Sequence, residues 1–171
     1  TLSNGATATY TSGTGGAALV FQYTVTEGDT DSADLSVSSY SGTIKDAAGN
    51  AFTGTVSGDL GSVIVDANAP EAAITYDSVG PYKNGETVVI TATFNENIAD
   101  SPIMQIAIAG SGIANVTATN MTKTSSTVYT YDYSVPTGDG TGTITLSTGT
   151  DEAGNVITAA PTNNTFTVDN T

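Results

Sequence analysis

The chain has 171 residues with 17 acidic side chains, three lysines and no arginine, histidine or cysteine, and its net charge is −14. Such a chain has no basic surface for nucleic acid or for an anionic membrane, and no run of 18 apolar residues that could insert into a bilayer. It also has no histidine to act as a base, no thiol nucleophile and no arginine clamp, so we expect no enzyme.

The apolar residues come in short runs that Gly, Pro, Asn and Asp separate, a pattern typical of β-strands. In the first part of the chain this pattern predicts strands at 4–12, 18–25, 35–44 and 61–66. In the second part it predicts seven strands, at 72–78, 87–95, 102–110, 114–122, 127–135, 142–148 and 164–170. No helical period occurs, and the prediction is an all-β protein.

The two parts repeat one another. Residues 18–30 align with residues 128–140, so that Tyr23 matches Tyr133 and Asp29 matches Asp139. The hexapeptide "KDAAGN" (45–50) recurs as "TDEAGN" (150–155), and "GSVIVD" (61–66) resembles "NTFTVD" (164–169). One module is therefore about 100 residues long.

Seven short strands at this spacing fit an immunoglobulin-like β-sandwich. We therefore predict tandem immunoglobulin-like β-sandwich modules, the first covering residues 1–67 and lacking its three N-terminal strands, and the second, complete module covering residues 68–171. The missing strands would come from upstream sequence or from another copy of the protein. The alternative is that residues 1–67 form a small unit of a different fold.

Two segments, "VVITATFNENIADSP" and "YTYDYSVPTGDGTGTITLSTGTDEAGN", carry a resemblance to a known family. They are similar to the tandem bacterial Ig-like repeats of large RTX-type surface adhesins and of prokaryotic surface-layer proteins, and the resemblance covers nearly the whole chain. It implies an extracellular, cell-surface location and a structural role as an adhesin extender or a surface-layer or filament unit. It also implies that the partners are neighbouring Ig-like modules of the same protein or other copies, often rigidified by calcium.

In a seven-strand sandwich, two acidic loops of the second module lie at the end that joins the linker, and the acidic loop 26–34 of the first module lies at the end that faces the linker. Oxygen ligands without any histidine or cysteine favour calcium over zinc or copper. We therefore predict that Ca²⁺ binds at the junction between the modules, with ligands drawn from Glu27, Asp29, Asp31, Asp34, Asp66, Asn68, Glu96, Asp100, Asp151 and Asn155. The alternative is that the "AGN" hexapeptides are only turns, since Asp, Gly and Asn are common turn residues.

A binding function is the main alternative to a structural one. Tyr129, Tyr131 and Tyr133 fall on one face of a predicted strand, where they could stack on sugars or pack in the core. This stripe makes a carbohydrate- or surface-binding adhesion module the second hypothesis, with surface glycans as partners. The other five tyrosines show no second cluster in the sequence. Asn115, Asn120 and Asn163 stand in N-glycosylation sequons, which are frequent by chance in a Thr-rich chain.

Overall fold

A computed structural model describes all of residues 1–171 and divides them into two compact units, unit 1 (residues 1–68) and unit 2 (residues 69–171). Every regular element is a β-strand, which confirms the all-β prediction. No helix with the length and apolar content needed to cross a membrane is present. The strands are β1 Thr9–Ser12, β2 Val20–Gln22, β3 Ser36–Val37, β4 Gly58–Asp59, β5 Ala72–Tyr76, β6 Thr87–Phe94, β7 Gln105–Ala109, β8 Val116–Asn120, β9 Thr122–Lys123, β10 Val128–Ser134, β11 Gly140–Ser147 and β12 Thr165–Val168.

Unit 2 consists of two four-stranded sheets in which all neighbouring strands are antiparallel. One sheet has the order β5-β6-β10-β9 and the other has the order β12-β11-β7-β8. All seven strands predicted for this part of the chain are present, because each has an apolar residue at every second position for most of its length.

The core of unit 2 lies where the buried faces of these two sheets meet. On β6, Val88, Ile90, Ala92 and Phe94 are buried, while the residues between them are half-buried or exposed. The other sheet adds further fully buried residues to the same cluster, among them Ile106 of β7. Burying an aliphatic side chain contributes about 1.5–3 kcal/mol, so this alternation is the main source of stability in the unit.

The segment predicted as one strand at 114–122 is divided between the two sheets. Its first part is β8, which pairs with β7, and the chain then crosses to form β9, which pairs with β10. The crossing occurs at Met121, whose side chain is buried and whose backbone N–H donates to the carbonyl of Met104 at 2.9 Å. The apolar positions change phase between Ala118 and Met121, but such a shift also fits a β-bulge within one strand, so the sequence did not reveal the change of sheet and the single-strand prediction was wrong.

Aromatic side chains form a cluster in the core of unit 2. Tyr129 and Tyr133 are buried, so they pack in the interior and do not present a face for sugar stacking. The expectation that the remaining tyrosines form no cluster was wrong. Tyr76 and Tyr82 lie with ring centroids 6.3 Å apart, and both contact Phe166, which also contacts Tyr133 at 5.2 Å. These edge-on contacts stabilise the core beyond simple area burial.

Unit 1 has much less regular structure than unit 2. Its strands form two separate two-stranded sheets, β1-β2 and β3-β4. Its buried apolar residues are Leu2, Leu35, Val65 and Ala67, against which a few partly buried side chains pack. Large apolar residues such as Phe21 and Ile64 are exposed. The apolar runs of this part of the chain are therefore only partly covered.

The strands predicted in unit 1 are shorter in the structure than expected. The predicted strands at 4–12, 18–25 and 35–44 shorten to β1, β2 and β3, and the predicted strand at 61–66 does not form. Val65 instead exchanges two backbone hydrogen bonds with Ser32 as an isolated bridge, and the Leu35 N–H donates to Val63. An apolar run becomes a strand only where a partner backbone continues alongside it.

The core of unit 2 makes a direct stability prediction. Ile106→Ala removes a side chain with 0% exposure and should lower the free energy of unfolding of unit 2 by about 2–5 kcal/mol. Ile103→Ala is the matched control, because Ile103 is 50% exposed and its loss should cost no more than about 0.5 kcal/mol. Urea unfolding followed by tyrosine fluorescence checks both variants, and equal losses would contradict the assignment of the core.

Candidate functional site

Two loops of unit 2 lie side by side at one end of its sheets. The first follows β6 and contains Glu96, and the second follows β11 and contains Asp151. They are joined by a backbone bridge between Ile98 and Asp151 and by a 2.9 Å hydrogen bond from the Ala99 N–H to the Thr150 carbonyl. The main chain therefore brings the acidic residues of both loops together.

The carboxylates of Glu96 and Asp151 lie close together. Their oxygens lie within 4.8 Å of each other. Asp151 is only 1% exposed and Glu96 is half-buried. Two negative charges at this distance repel by roughly 3 kcal/mol at an effective dielectric constant near 20. The pair is therefore a place where a cation would be stabilised.

Hydrogen bonds within its own loop hold the Asp151 carboxylate in place. Oδ1 accepts from the backbone N–H groups of Gly154 (2.7 Å) and Asn155 (2.9 Å), and Oδ2 accepts from Asn155 Nδ2 (2.7 Å). A carboxylate offers about four acceptor positions. These three bonds leave about one position on Asp151 for a further partner.

The repeated hexapeptide forms a similar turn in unit 1, in which the Asn bonds are the same and only the first backbone donor differs. Asp46 Oδ1 accepts from the backbone N–H groups of Ala48 (3.0 Å) and Asn50 (2.8 Å), and Oδ2 accepts from Asn50 Nδ2 (2.8 Å). The side-chain bond from Asn50, followed by its backbone bond, lowers the pKa of Asp46 below its usual value. Both loops are therefore turns that an Asp and an Asn close together. They differ in burial, since Asp46 is exposed and Asp151 is not.

Asp100 lies in the loop after β6 but makes a different contact. Its carboxylate forms an ion pair with Lys123 at 2.6 Å, and Lys123 also donates to the Ile98 carbonyl at 3.1 Å. The hydrogen bond between the two side chains lowers the pKa of Asp100 and raises the pKa of Lys123. The structure thus places Asp100 with a lysine of β9.

In unit 1 the predicted ligands Asp29, Asp31 and Asn68 lie close together. Asn68 Nδ2 donates to Asp31 Oδ1 at 2.9 Å and to the Asp29 carbonyl at 3.3 Å, and the Ala67 N–H donates to Asp31 Oδ1 at 2.8 Å. These bonds attach the last residues of unit 1 to the loop after β2. Asn68 acts here as a hydrogen-bond donor through its amide nitrogen, so these contacts hold two segments of unit 1 together.

The carboxylate of Asp29 also closes its own turn. Its Oδ2 accepts from the Thr26 N–H at 2.9 Å and from the Tyr23 hydroxyl at 2.7 Å. The bond from Thr26 and then that from Tyr23 lower the pKa of Asp29. Of the other predicted ligands in unit 1, Glu27 and Asp34 are exposed and Asp66 is half-buried.

The sequence did not predict a cavity in unit 1. Its volume is about 900 Å³, and its walls include Tyr10, Leu19, Phe21, Tyr40 and Ile44. One feature of the sequence could have indicated this cavity. Leu19 and Phe21 alternate along the predicted strand at 18–25, and the sequence predicts no partner for the second edge of that strand.

Comparison of the chain with protein families, with curated proteins and with solved structures gives no match. The chemistry of the site therefore rests on the residues described above.

The Asp46 turn makes a prediction about pH. Asn50→Ala removes the bond that contributes most to the lowered pKa, so the pKa of Asp46 should rise toward its usual value of 3.8. The carboxyl carbon shift of Asp46 in an NMR titration measures this change. Asn68→Ala is the control, because its amide bonds Asp31 and the Asp46 midpoint should not move. An unchanged midpoint in Asn50→Ala would contradict the described turn.

Proposed function

We propose that this chain is a non-enzymatic structural part of an extracellular surface protein, built from repeated immunoglobulin-like β-sandwich modules and stabilised by calcium. The observation that carries the proposal is the order of the strands in the two sheets of unit 2. The role is that of an extender in an adhesin or a unit of a surface layer or filament.

The strand order supports the immunoglobulin-like assignment. If β5, β6 and β7 are named A, B and C, then β9, β10, β11 and β12 correspond to D, E, F and G. The sheet β5-β6-β10-β9 then has the order A-B-E-D, and β12-β11-β7 has the order G-F-C, with β8 as an added edge strand. Apart from β8, these orders are those of a constant-type immunoglobulin domain, which supports the proposed assignment.

The side-chain chemistry supports a structural role over catalysis. Histidine, cysteine and arginine are all absent from the chain. The tyrosines on β10 that could have stacked on a sugar include Tyr129 and Tyr133, and both are buried. Packing in the core is then sufficient to explain these tyrosines. A module that only packs and pairs its strands is what we expect of an extender, which provides length and stiffness.

Calcium is the cation that fits the acidic pair of unit 2. Calcium takes six to eight oxygen ligands, including carboxylates, carbonyls and water. Glu96 contributes a half-buried carboxylate, and Asp151 has about one acceptor position beyond its loop bonds. Water and backbone carbonyls would complete the shell. From the sequence alone, Asp66 and Asn68 are further candidate ligands.

The prediction is that calcium raises the melting temperature of unit 2 through Glu96. At about 10 mM calcium, 100 times a Kd of about 0.1 mM, one site adds about 2.7 kcal/mol, or about 11–22 °C for a unit of this size. Glu96→Gln keeps the shape of the side chain but removes its charge, so it should abolish most of the shift. Thermal melting in calcium and in chelator measures it, and pulling the chain from its two ends should show a higher unfolding force with calcium.

Glu152→Gln is the matched control for this prediction. Glu152 is an exposed acid of the same loop, so its neutralisation changes the net charge equally but leaves the Glu96–Asp151 pair intact. It should keep the full calcium shift. A wild-type chain that melts identically with calcium and with chelator would remove calcium from the proposed function. Equal loss of the shift in both variants would reduce it to a general effect of net charge.

A further inference from the structure

Strand β2 of unit 1 has only one neighbour. It pairs with β1, and no other strand lies beside it. Its counterpart in unit 2 is β10, because the repeat aligns Tyr23 with Tyr133. Strand β10 has a neighbour on each side, β9 and β6. The edge of β2 that corresponds to the β6 side is therefore open.

One pair of residues shows that β1 and β2 are placed like β9 and β10. In unit 2, Thr130 pairs with Thr122. The alignment of Tyr23 with Tyr133 places Val20 on Thr130 and Ser12 on Thr122. In unit 1, Val20 pairs with Ser12, although the register shifts by one residue between Tyr10 and Ser12. The two hairpins are therefore comparable, and unit 2 shows what covers the other edge.

In unit 2 that edge is covered by β6 along its whole length. Tyr133, Tyr131 and Tyr129 stand opposite Val88, Ile90 and Ala92, respectively. These three residues of β6 are fully or almost fully buried, and so are Tyr129 and Tyr133. Strand β6 thus both completes the backbone hydrogen bonds of β10 and packs its buried side chains beside the tyrosines.

The corresponding side chains of unit 1 are exposed. Leu19 aligns with Tyr129 and Phe21 with Tyr131, yet Leu19 is 36% exposed and Phe21 is 47% exposed. Both line the cavity of about 900 Å³, which is also lined by Tyr40 and Ile44 and by the charged residues Lys45 and Asp46. A cavity with apolar side chains beside an unpaired strand edge has the form of a site for an added strand.

We propose that the open edge of β2 binds an extended strand with alternating apolar residues, antiparallel to β2, whose inward side chains fill this cavity. By the register of unit 2, the inward residues of the added strand would lie opposite Tyr23, Phe21 and Leu19. The proposal rests on the two units being copies of one fold, as in the proposed function, and it does not depend on calcium.

The charges of the chain indicate which kind of strand could bind at this edge. The run 17–26, which contains β2, has no charged residue, and neither has the β6 run 87–94. The chain as a whole carries a net charge of −14, so an acidic strand would be repelled. The occupant is therefore a strand of the β6 type, with an uncharged centre and small or branched apolar side chains at every second position.

The test uses the full chain, in chelator, with an uncharged peptide of residues 87–95 of its own sequence, capped at both ends, as the added strand. Hydrogen exchange should slow at residues 18–25 when the peptide binds. Two altered peptides decide the geometry, because each gains two aspartates on a different face. The two peptides carry the same charge, so general repulsion affects them equally, and V88D with I90D on the inward face should bind about tenfold or more weakly than V89D with T91D on the outward face.

Variants of the chain give a second readout of the same site. Phe21→Ala should weaken binding of the peptide, and Val20→Ala should not, because Val20 is 51% exposed on the opposite face. Slowed exchange of residues 18–25 at high concentration without peptide would also support the site, with a second copy as the donor. No protection by the peptide, or equal binding of both aspartate peptides, would overturn the proposal. If calcium still raises the melting temperature of unit 2 when the peptide fails to bind, this proposal is wrong and the proposed function is unaffected.

Discussion

The constraint on which this structure depends is that an alternating apolar strand is stable only when something covers its apolar face and pairs with its edges. In unit 2, Ile90 of β6 and Ile144 of β11 belong to different sheets, and both have 0% exposure. Each sheet is the cover for the other. In unit 1 the same kind of strand, β2, has one partner, and its Phe21 remains exposed. Differences between the units in regularity and burial follow from this one requirement.

The two acidic turns have similar local structures but different surroundings. In both hexapeptides an aspartate accepts hydrogen bonds from the N–H groups of its own loop and from the amide of an asparagine. In unit 1 the aspartate, Asp46, is exposed, and the turn is complete in itself. In unit 2 the carboxylate of Asp151 is buried near that of Glu96. The same turn therefore becomes a candidate cation ligand only because of what packs beside it.

Local patterns predicted what depends on neighbouring residues in the chain and missed what depends on distant ones. The strands of unit 2 and the turn at Asp151 follow from alternation and from turn residues, and both could be predicted. The division of the strand at Met121 and the pairing of Asp100 with Lys123 depend on which sheet lies nearby. The prediction of a strand at 61–66 was wrong because an apolar pattern does not show whether a partner backbone lies beside the segment.

Native-state hydrogen exchange of the full chain, without added peptide, tests the central claim that unit 1 lacks a cover which unit 2 has. Amides of β6, β7, β10 and β11 should exchange only through global unfolding of unit 2, whereas those of β1 and β2 should exchange through local opening, at least roughly a hundredfold faster. Equal protection of β2 and β10 in a dilute monomer would contradict the claim, because it would mean that β2 is as well covered as its counterpart.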